Sequence, residues 1–342
     1  MIQKILFPVL FIISIQAFGQ SIVEGTSYSH FQIKSKKDTI DFVIADTNLN
    51  VTKPLLIFCQ GSQPIPLFID FGEQDIWPVP LNNFDLEEMK KYYHIVVISM
   101  PKTPLMARVE ELSKSYCYVT DTSRQHSYSA EYMKADYLGN YVNRANVVWE
   151  FLKDKKWVDD SKFVVAGHSQ GSHVAVEIAS TNKNVTQLGL FAFNPLGRID
   201  QYIRMLRKQA ERGEISWEEA DSIQRIVLND YESYFNPEHP EYKANAKSWV
   251  SFSKSQVNTV AELKLPVYIA YGSDDITSDF CDLLPLYFIE QQKTNYKVIR
   301  YPNLDHNFFP VDEKGKADHD DGKWELVMNE FIKWTKNTVN IK

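Results

Sequence analysis

The sequence predicts an α/β protein with a mostly parallel sheet, an antiparallel N-terminal hairpin and helices on both faces. Residues 28–47 alternate in part between apolar and polar side chains around a polar turn, which is typical of a hairpin at a sheet edge. Short apolar runs follow, as expected for strands buried on both faces, at 54–58, 95–100, 163–166, 188–193, 266–271 and 296–301. Helical patterns separate most of these runs, and this alternation predicts parallel strands joined by helical crossovers.

The helices are predicted from apolar residues that recur every three or four positions. Tyr141 and Ala145 begin such a stripe within a helix expected at about 129–155. Further helices are expected at about 86–93, after residue 171, and at about 200–212, 216–234 and 322–337. Residues 63–84 and 101–128 show no such pattern and are predicted to be long loops.

The composition is that of a globular protein large enough for one large domain or two small ones. Of the 342 residues, 44% are hydrophobic and 24% are charged, which is ordinary for a soluble fold. The formal net charge of −7 argues against nucleic acid as a partner. No basic run indicates a membrane-surface patch.

Residues 1–19 have the pattern of a signal peptide. Lys4 supplies a positive start, residues 5–15 form an apolar core, and Ala17-Phe18-Gly19 fits a small-x-small cleavage site. Gln20 is then the first mature residue. The apolar run is too short to span a membrane, and no cysteine at the cleavage point indicates a lipid anchor. We therefore expect a periplasmic or secreted protein.

Three cysteines are too few and too scattered for a disulfide framework. Cys59 ends an apolar strand and is expected to be a small buried hydrophobe. If a disulfide forms in the exported protein, the pairing we expect is Cys117 with Cys281.

The stretch Gly167-His168-Ser169-Gln170-Gly171 carries the chemistry. It follows the apolar strand 163–166 and precedes a helical stripe that begins with Val174 and Ile178. Strand, Gly-x-Ser-x-Gly and helix together are typical of a nucleophile elbow, which exposes the serine hydroxyl at the carboxyl edge of a sheet. The helix N-terminus favours negative charge developing beside Ser169.

A histidine and a carboxylate are placed where they can activate this serine. A serine hydroxyl needs a histidine to take its proton and a carboxylate to orient that histidine. Asp275 follows the predicted strand 266–271, and His306 follows the predicted strand 296–301. In a parallel sheet both loops emerge at the edge that carries the elbow, so we expect these side chains to converge.

The identity of the acid stays open at this point. Asp274 or Asp279 could orient the histidine, in which case Asp275 would cap a helix. The acidic segment 318–321 also contains His319, but its spacing fits no metal cage, and we expect a solvated loop there. No zinc spacing and no phosphate-binding glycine-rich loop is present, so neither a metal nor a cofactor is expected.

Three other histidines are candidates for the site region. His168 is expected to point away from Ser169 and to be structural. His173 is expected to face helix packing or solvent. His126 lies in a loop from which it could reach the cleft or remain in solvent, and the solvent position is favoured.

These motifs resemble those of the α/β-hydrolase family. Gly167-His168-Ser169-Gln170-Gly171 matches the family's elbow, Gly272-Ser273-Asp274-Asp275 resembles its Gly-x-x-Asp acid loop, and His306 matches its histidine loop. Gln60-Gly61-Ser62 stands where the family usually carries His-Gly-x. Ser172 stands where many members have a second glycine. The resemblance extends from about residue 28 to residue 337.

The resemblance implies a role for each of these residues. Ser169 would be the nucleophile, His306 the general base and then the general acid, and Asp275 the carboxylate that orients the histidine. The oxyanion hole would be formed by the backbone N–H groups of Ser62 and Gln170.

The resemblance also implies the domain organisation and the function. A single hydrolase domain would span 20–342, with a helical lid inserted at about 195–262. The protein would be a serine hydrolase that cleaves a small-molecule carboxylic ester, or an amide or thioester, through an acyl-enzyme, and the signal-peptide pattern of residues 1–19 would make it an exported one. The alternative is a non-catalytic binding protein on the same fold, in which the three side chains do not converge.

Overall fold

The computed structural model describes residues 16–34, 38–73, 75–238 and 245–338. The strands in these residues are β1 (Gln16–Ile22), β2 (Ser29–Lys34), β3 (Thr39–Ile44), β4 (Lys53–Cys59), β5 (Phe68–Asp70), β6 (Ile76–Pro78), β7 (His94–Ile98), β8 (Met106–Arg108), β9 (Val158–His168), β10 (Gln187–Phe191), β11 (Val267–Gly272) and β12 (Tyr296–Tyr301). The α-helices are α1 (Leu86–Lys90), α2 (Ala130–Ala135), α3 (Leu138–Leu152), α4 (Gln170–Thr181), α5 (Arg198–Glu211), α6 (Trp217–Ser233), α7 (Ala246–Phe252), α8 (Val257–Glu262), α9 (Leu284–Glu290) and α10 (Trp324–Asn337). Short 3₁₀ turns occur at Val109–Glu111 and Asp279–Asp282.

Nine of the strands form one sheet in the order β1-β2-β3-β7-β4-β9-β10-β11-β12. The six strands from β7 to β12 in this order pair in parallel. The first three strands, β1 to β3, pair antiparallel, and β3 joins the parallel part by an antiparallel pairing with β7. The predicted fold class is therefore confirmed, including the antiparallel N-terminal hairpin.

Both faces of the sheet are covered because its central strands contain continuous apolar runs, such as 54–58 in β4 and 163–166 in β9. Leu55 and Ile57 of β4 lie in one hydrophobic cluster, together with residues of α3 and α4. Leu56 and Phe58 point the other way and lie in a second cluster with residues of α1 and α10. Successive side chains of a strand face opposite sides, so a continuous apolar run needs a helix layer on each face.

The two predicted long loops contain more structure than their sequences indicate. Strands β5 and β6 lie in 63–84 and β8 lies in 101–128, and together they form a three-stranded sheet in the order β6-β5-β8. The prediction of irregular loops was wrong for these residues. Each strand is only three residues long, which is too short for an alternating pattern to be recognised.

The N-terminal strand overlaps the predicted signal peptide. Residues 1–15 lie outside the described part of the chain, whereas β1 begins at Gln16 and pairs antiparallel with β2. Cleavage after Gly19 would leave the end of β1, where Ser21 faces His30 and Ile22 faces Ser29. Among the helices of the described residues, none combines the length and the apolar character that a membrane-spanning helix needs.

All three cysteines are free thiols. The Sγ of Cys117 donates a hydrogen bond to Gln63 Oε1 at 3.2 Å, and the Sγ of Cys281 donates to the carbonyl of Phe193 at 3.2 Å. The expected pairing of Cys117 with Cys281 is therefore wrong for this structure. Cys59 is partly buried and packs against the hydrophobic cluster that contains Leu55 and Ile57, and burial raises the pKa of its thiol to about 12.

The segment between β10 and β11 contains the four helices α5 to α8. Helices α5 and α6 pack on each other, and α7 packs against α2, α3 and α5. We refer to the described part of 195–262 as the lid segment. It stands beside the carboxyl ends of the parallel strands, at the edge where the elbow lies.

Candidate active site

Ser169 lies in a strained turn between β9 and α4. Its backbone has φ 55° and ψ −123°, a conformation that non-glycine residues rarely adopt. A Cβ on Gly167 would lie 2.1 Å from the carbonyl oxygen of Gly171, and a Cβ on Gly171 would lie 2.0 Å from that of Cys59. Only glycine fits at these two positions, and the elbow predicted from the sequence is present.

Ser169, His306 and Asp275 form one chain of hydrogen bonds. The Nε2 of His306 lies 2.9 Å from Ser169 Oγ, and its Nδ1 lies 2.9 Å from Asp275 Oδ2. The loops after β11 and β12 approach closely, because a Cβ on Gly272 would lie 2.0 Å from the carbonyl oxygen of Leu304. The glycine of the acid loop therefore allows the contact that brings Asp275 to His306.

Asp275 is held as a carboxylate by its surroundings. Its side chain accepts hydrogen bonds from the backbone N–H of Thr277 (2.9 Å), from Thr277 Oγ1 (2.7 Å) and from Ser278 Oγ (2.5 Å). Burial alone would raise the pKa of Asp275, but the charge of His306 and these hydrogen bonds lower it to about 2. The carboxylate is therefore ionised throughout the neutral range.

The alternative acids do not contact His306. Asp274 is exposed and accepts a hydrogen bond from Ser273 Oγ at 2.8 Å. Asp279 forms an ion pair with Arg204 of the lid segment. Of the three candidate carboxylates, Asp275 alone reaches the imidazole among the described residues.

Opposing effects act on the pKa of His306. Burial alone lowers it, whereas the negative charge of Asp275 and the hydrogen bond to that carboxylate raise it, and the pKa lies above its usual value. A proton on Nδ1 directed at Asp275 leaves Nε2 free to accept the proton of Ser169. Thr277 Oγ1 lies 3.1 Å from the same Nδ1 and helps to fix the ring.

His168 supports His306 instead of the serine beside which it stands in the chain. Its Nε2 lies 2.9 Å from the carbonyl oxygen of His306, to which it donates a hydrogen bond. The two imidazole rings are 5.1 Å apart, and the ring of Trp324 lies edge-on at 4.9 Å. Burial, together with the nearby charge of His306, lowers the pKa of His168 to about 3, so its ring stays neutral.

The two expected oxyanion donors border the same space as Ser169. Gln170 is the first residue of α4, and Ser62 lies in the loop after β4. Among the described residues, no hydrogen bond engages the backbone N–H of either residue. Gln60, which stands where the sequence resemblance leads us to expect a histidine, donates its Nε2 to the carbonyl of Ile98 at 3.0 Å and so anchors this loop to β7.

Two cavities meet at Ser169 and His306. The lid-side cavity has a volume of about 450 Å³ and is lined by residues of α2, α5 and α7, among them Arg198 and Trp249, and by Asp136 directly after α2. The loop-side cavity has a volume of about 410 Å³ and is lined by residues that include Asn82, Asn83, Phe84 and Trp324. A substrate that spans Ser169 would place one part in each cavity.

The remaining histidines take different positions around the lid-side cavity. His126 lines this cavity from an exposed loop, and its Nδ1 lies 2.9 Å from the hydroxyl of Tyr128. His173 is buried and packs against Phe193 and Phe252. Burial is the main cause that lowers the pKa of His173, to about 4. His173 therefore lies in helix packing, the first of its two expected positions.

Sequence reasoning missed a polar cluster that lines the lid-side cavity. Its members are Asp136 after α2, Arg198 at the start of α5 and Ser248 in α7, and they meet the side chain of Gln170. The three elements are far apart along the chain. No periodicity or short motif connects them, so no sequence signal marked the cluster.

The described residues hold no group of three or more His, Cys, Asp or Glu side chains that could bind a metal ion. The segment 318–321 is exposed, and the ring of His319 packs edge-on against Phe309 at 4.8 Å. This position is that of a surface loop.

Solved structures share this architecture at low sequence identity. No protein-family model matches the sequence, and no curated protein matches it either. A candidate dipeptidyl aminopeptidase IV from Bacteroides ovatus is similar with a TM-score of 0.52 and 12% identity over 94% of this chain, which spans 36% of that protein. A thermostable carboxyl esterase from Bacillus coagulans is similar with a TM-score of 0.50 and 12% identity, over 91% of this chain and 98% of that one. Together with the sheet order and the elbow, these likenesses identify the architecture of this chain as the α/β-hydrolase fold.

Proposed function

We propose that the protein is a serine hydrolase that cleaves a carboxylic ester through an acyl-enzyme formed on Ser169. The observation that carries this proposal is the unbroken hydrogen-bond chain from Ser169 Oγ through His306 to Asp275. A non-catalytic binding protein has no need for a strained serine aligned with a neutral imidazole nitrogen. The similar carboxyl esterase from Bacillus coagulans is in keeping with an ester as the substrate.

The geometry supports acyl transfer in two stages. In the first, Ser169 Oγ attacks the carbonyl carbon while His306 Nε2 takes its proton, and the carbonyl electron pair moves onto oxygen. The backbone N–H groups of Ser62 and Gln170 would bind this oxyanion, and its collapse expels the alcohol, which receives the proton from His306. In the second, water activated by His306 attacks the acyl-enzyme, and the acid leaves as Ser169 recovers its proton.

Asp275 has a separate task in this mechanism. Its ionised carboxylate fixes the Nδ1–H tautomer and stabilises the imidazolium that forms when His306 takes a proton. Thr277 and Ser278 in turn fix the carboxylate. The same machinery can cleave an amide or a thioester, which differ from an ester in the leaving group.

Reaction with a fluorophosphonate tests the proposal directly. We expect one covalent adduct on Ser169, because this residue lines both cavities and His306 can deprotonate its hydroxyl. Ser169→Ala should abolish labelling and ester hydrolysis, whereas the exposed Ser273→Ala should label like the wild type. Intact-mass and peptide mass spectrometry locate the adduct. A wild type that reacts with neither the probe nor any ester, amide or thioester would support the binding-protein alternative.

We further propose that the protein is exported and that its mature chain begins at Gln20. The proposal rests on the charged start, the apolar core and the small residues at 17–19. Expression of the full sequence in an exporting bacterial host, followed by intact-mass measurement of the protein outside the cytoplasm, tests it. An exported soluble form that retains residues 1–19 would contradict it.

A further inference from the structure

The guanidinium of Arg198 is fixed in the wall of the lid-side cavity. Arg198 is the first residue of α5, and its side chain is half-buried. Its Nη1 donates to Ser248 Oγ at 3.0 Å, and its Nη2 donates to Gln170 Oε1. The rings of Trp249 and Phe252 lie 5.2 and 5.0 Å from the guanidinium carbon. A guanidinium held in this way by two hydrogen-bond acceptors and two aromatic rings has few alternative positions.

No carboxylate among the described residues lies within ion-pair distance of Arg198. The other arginines that are at least half-buried have such partners: Arg144 pairs with Asp38, and Arg204 pairs with Asp200 and Asp279. Removing a charge from water without an opposite charge in contact is unfavourable. The arrangement at Arg198 therefore indicates a positive charge kept for a group outside the chain.

Asp136 shapes the surroundings of Arg198 without touching it. Ser248 Oγ donates to Asp136 Oδ2 at 2.7 Å, and Gln170 Nε2 donates to Asp136 Oδ1 at 3.4 Å. Tyr141 also donates its hydroxyl to Oδ1, at 2.7 Å. Ser248 directs its hydroxyl proton at Asp136, and Gln170 directs its amide NH2 group at the same carboxylate. The oxygen atom of each side chain is therefore turned towards Arg198 and accepts its hydrogen bond. Asp136 thus orients the two acceptors that position the guanidinium.

The guanidinium is close to the reacting centre. Its partner Gln170 directly follows Ser169, so one glutamine side chain and one hydrogen bond separate the elbow from Arg198. Arg198 and Asp136 are the only residues with a formal charge among the described residues that line the lid-side cavity, and Asp136 is engaged by three donors. The lining of the loop-side cavity includes no Asp, Glu, Lys or Arg among the described residues.

We propose that Arg198 binds a carboxylate of the substrate in the lid-side cavity, so that the preferred substrate is an ester with a carboxylate near its scissile bond. Arginine has five N–H donors in a planar fork, and two of them are engaged by Ser248 and Gln170. The remaining donors suit a carboxylate, whose two oxygens match the fork. This proposal rests on the proposed hydrolase function and names its substrate class.

Matched esters that differ only in charge test the proposal. On the acyl side, the p-nitrophenyl monoester of glutaric acid is compared with the p-nitrophenyl ester of glutaric monoamide, in which an uncharged amide replaces the carboxylate. On the alcohol side, 4-carboxyphenyl butyrate is compared with 4-carbamoylphenyl butyrate. We expect the wild type to have a kcat/KM at least about tenfold higher for the acid in one of the two pairs, as charge-assisted hydrogen bonds allow.

Variants then assign the preference to Arg198. Arg198→Gln should reduce the acid-to-amide ratio of kcat/KM by about ten- to a hundredfold, chiefly through KM. Arg198→Lys should keep part of the preference, because it retains the charge but not the fork. Arg207→Gln is the matched control: this arginine lies on the same helix, is exposed and pairs with Glu211. It should keep the wild-type ratio.

The outcomes distinguish this proposal from the proposed function. Equal rates with acid and amide in both pairs would overturn the carboxylate site and leave the hydrolase standing. If no ester is cleaved, calorimetric binding of the same acids and amides still tests the carboxylate site. Selective binding of an acid that Arg198→Gln weakens tenfold supports the site. Equal affinity for acid and amide refutes it. Thermal unfolding checks the fold of each variant. If Arg198→Gln does not fold, the acid-to-amide ratios of kcat/KM of the wild type and of Arg198→Lys test the proposal.

Discussion

The carboxyl edge of the sheet and the lid segment face each other across Ser169, and they hold their side chains in different ways. At the sheet edge, backbone geometry fixes the groups: Ser169 is set by its positive φ, and Gly167 has no room for a Cβ. In the lid segment, side chains position one another. The guanidinium of Arg198, for example, is held by its contacts with Ser248 and Trp249.

This difference suggests a division of labour. A site fixed by the backbone cannot vary without loss of the turn, which suits groups that must be aligned for proton transfer. A site built from side chains on helices can change its selectivity by substitution and leave the reacting groups in place. The lid segment also exposes large apolar side chains to solvent, among them Trp217, Ile226 and Phe235. Its helices are therefore less completely packed than the sheet that carries the site.

The largest effect is expected at the buried carboxylate of the sheet edge. Asp275→Asn should keep the shape of the side chain but direct an amide at His306 Nδ1. The amide favours the imidazole tautomer without a proton on Nδ1, in which Nε2 cannot accept the proton of Ser169, and kcat should fall by about ten-thousandfold. The measurement is kcat with an activated ester together with the rate of fluorophosphonate labelling.

The neighbouring aspartate supplies the control. Asp274→Asn removes an exposed carboxylate one residue away and should leave kcat within about twofold of the wild type. If Asp274→Asn were the damaging change and Asp275→Asn the harmless one, the assignment of the acid would be wrong. The roles of Ser169 and His306 would remain.

The pH dependence should show the influence of Asp275 on His306. Catalysis needs the neutral imidazole, so activity falls as the pH drops through the pKa of His306. Asp275 raises this pKa above its usual value of about 6.5, and the acid limb of kcat/KM should therefore lie above pH 6.5. Below the midpoint, activity should fall about tenfold per pH unit.

The residual activity of Asp275→Asn provides the comparison. Loss of the carboxylate removes the cause that raises the pKa of His306, so the acid limb should move to lower pH. Profiles of kcat/KM from pH 5 to 9, measured with the same ester for both proteins, test this. If the acid limb of kcat/KM lay at the same pH in the wild type and in Asp275→Asn, a group other than His306 paired with Asp275 would determine its position.

The sheet edge could be predicted from sequence because its signals are local and its topology is regular. The elbow is a run of five residues between a strand and a helix, and its glycines are required by steric contacts within that turn. Asp275 and His306 follow two successive parallel strands, which must end at the same edge. Each step needed only neighbouring residues or the direction of a strand.

The lid-side cluster could not be predicted because its contacts join distant parts of the chain. The bonds from Ser248 to Asp136 and from Arg198 to Gln170 depend on how α2 and α5 pack against α7. The amphipathic patterns showed that helices form there and gave no direction in which they pack.

The same limit applies to the cysteines, since only the folded chain shows that the thiol of Cys117 is hydrogen-bonded to Gln63.

The smallest effect is expected at Trp249, where the lid segment packs on itself. Its ring lies 5.3 Å from that of Tyr202 and covers the guanidinium of Arg198. Trp249→Ala should release Arg198 and enlarge the lid-side cavity, so KM for the acidic ester should rise by about three- to thirtyfold, the range of a cation–π contact. Because Ser169, His306 and Asp275 do not depend on this ring, kcat should change less than KM.

Trp217 of α6 is the matched control for this change. It belongs to the same lid segment and also packs against an arginine, Arg207, but it is 52% exposed and does not line the cavity. Trp217→Ala should therefore leave KM near the wild-type value. If Trp249→Ala lowered kcat as strongly as it raised KM, the lid segment would be shown to align the reacting groups as well. The separation between a sheet edge that reacts and a lid segment that selects would then fail.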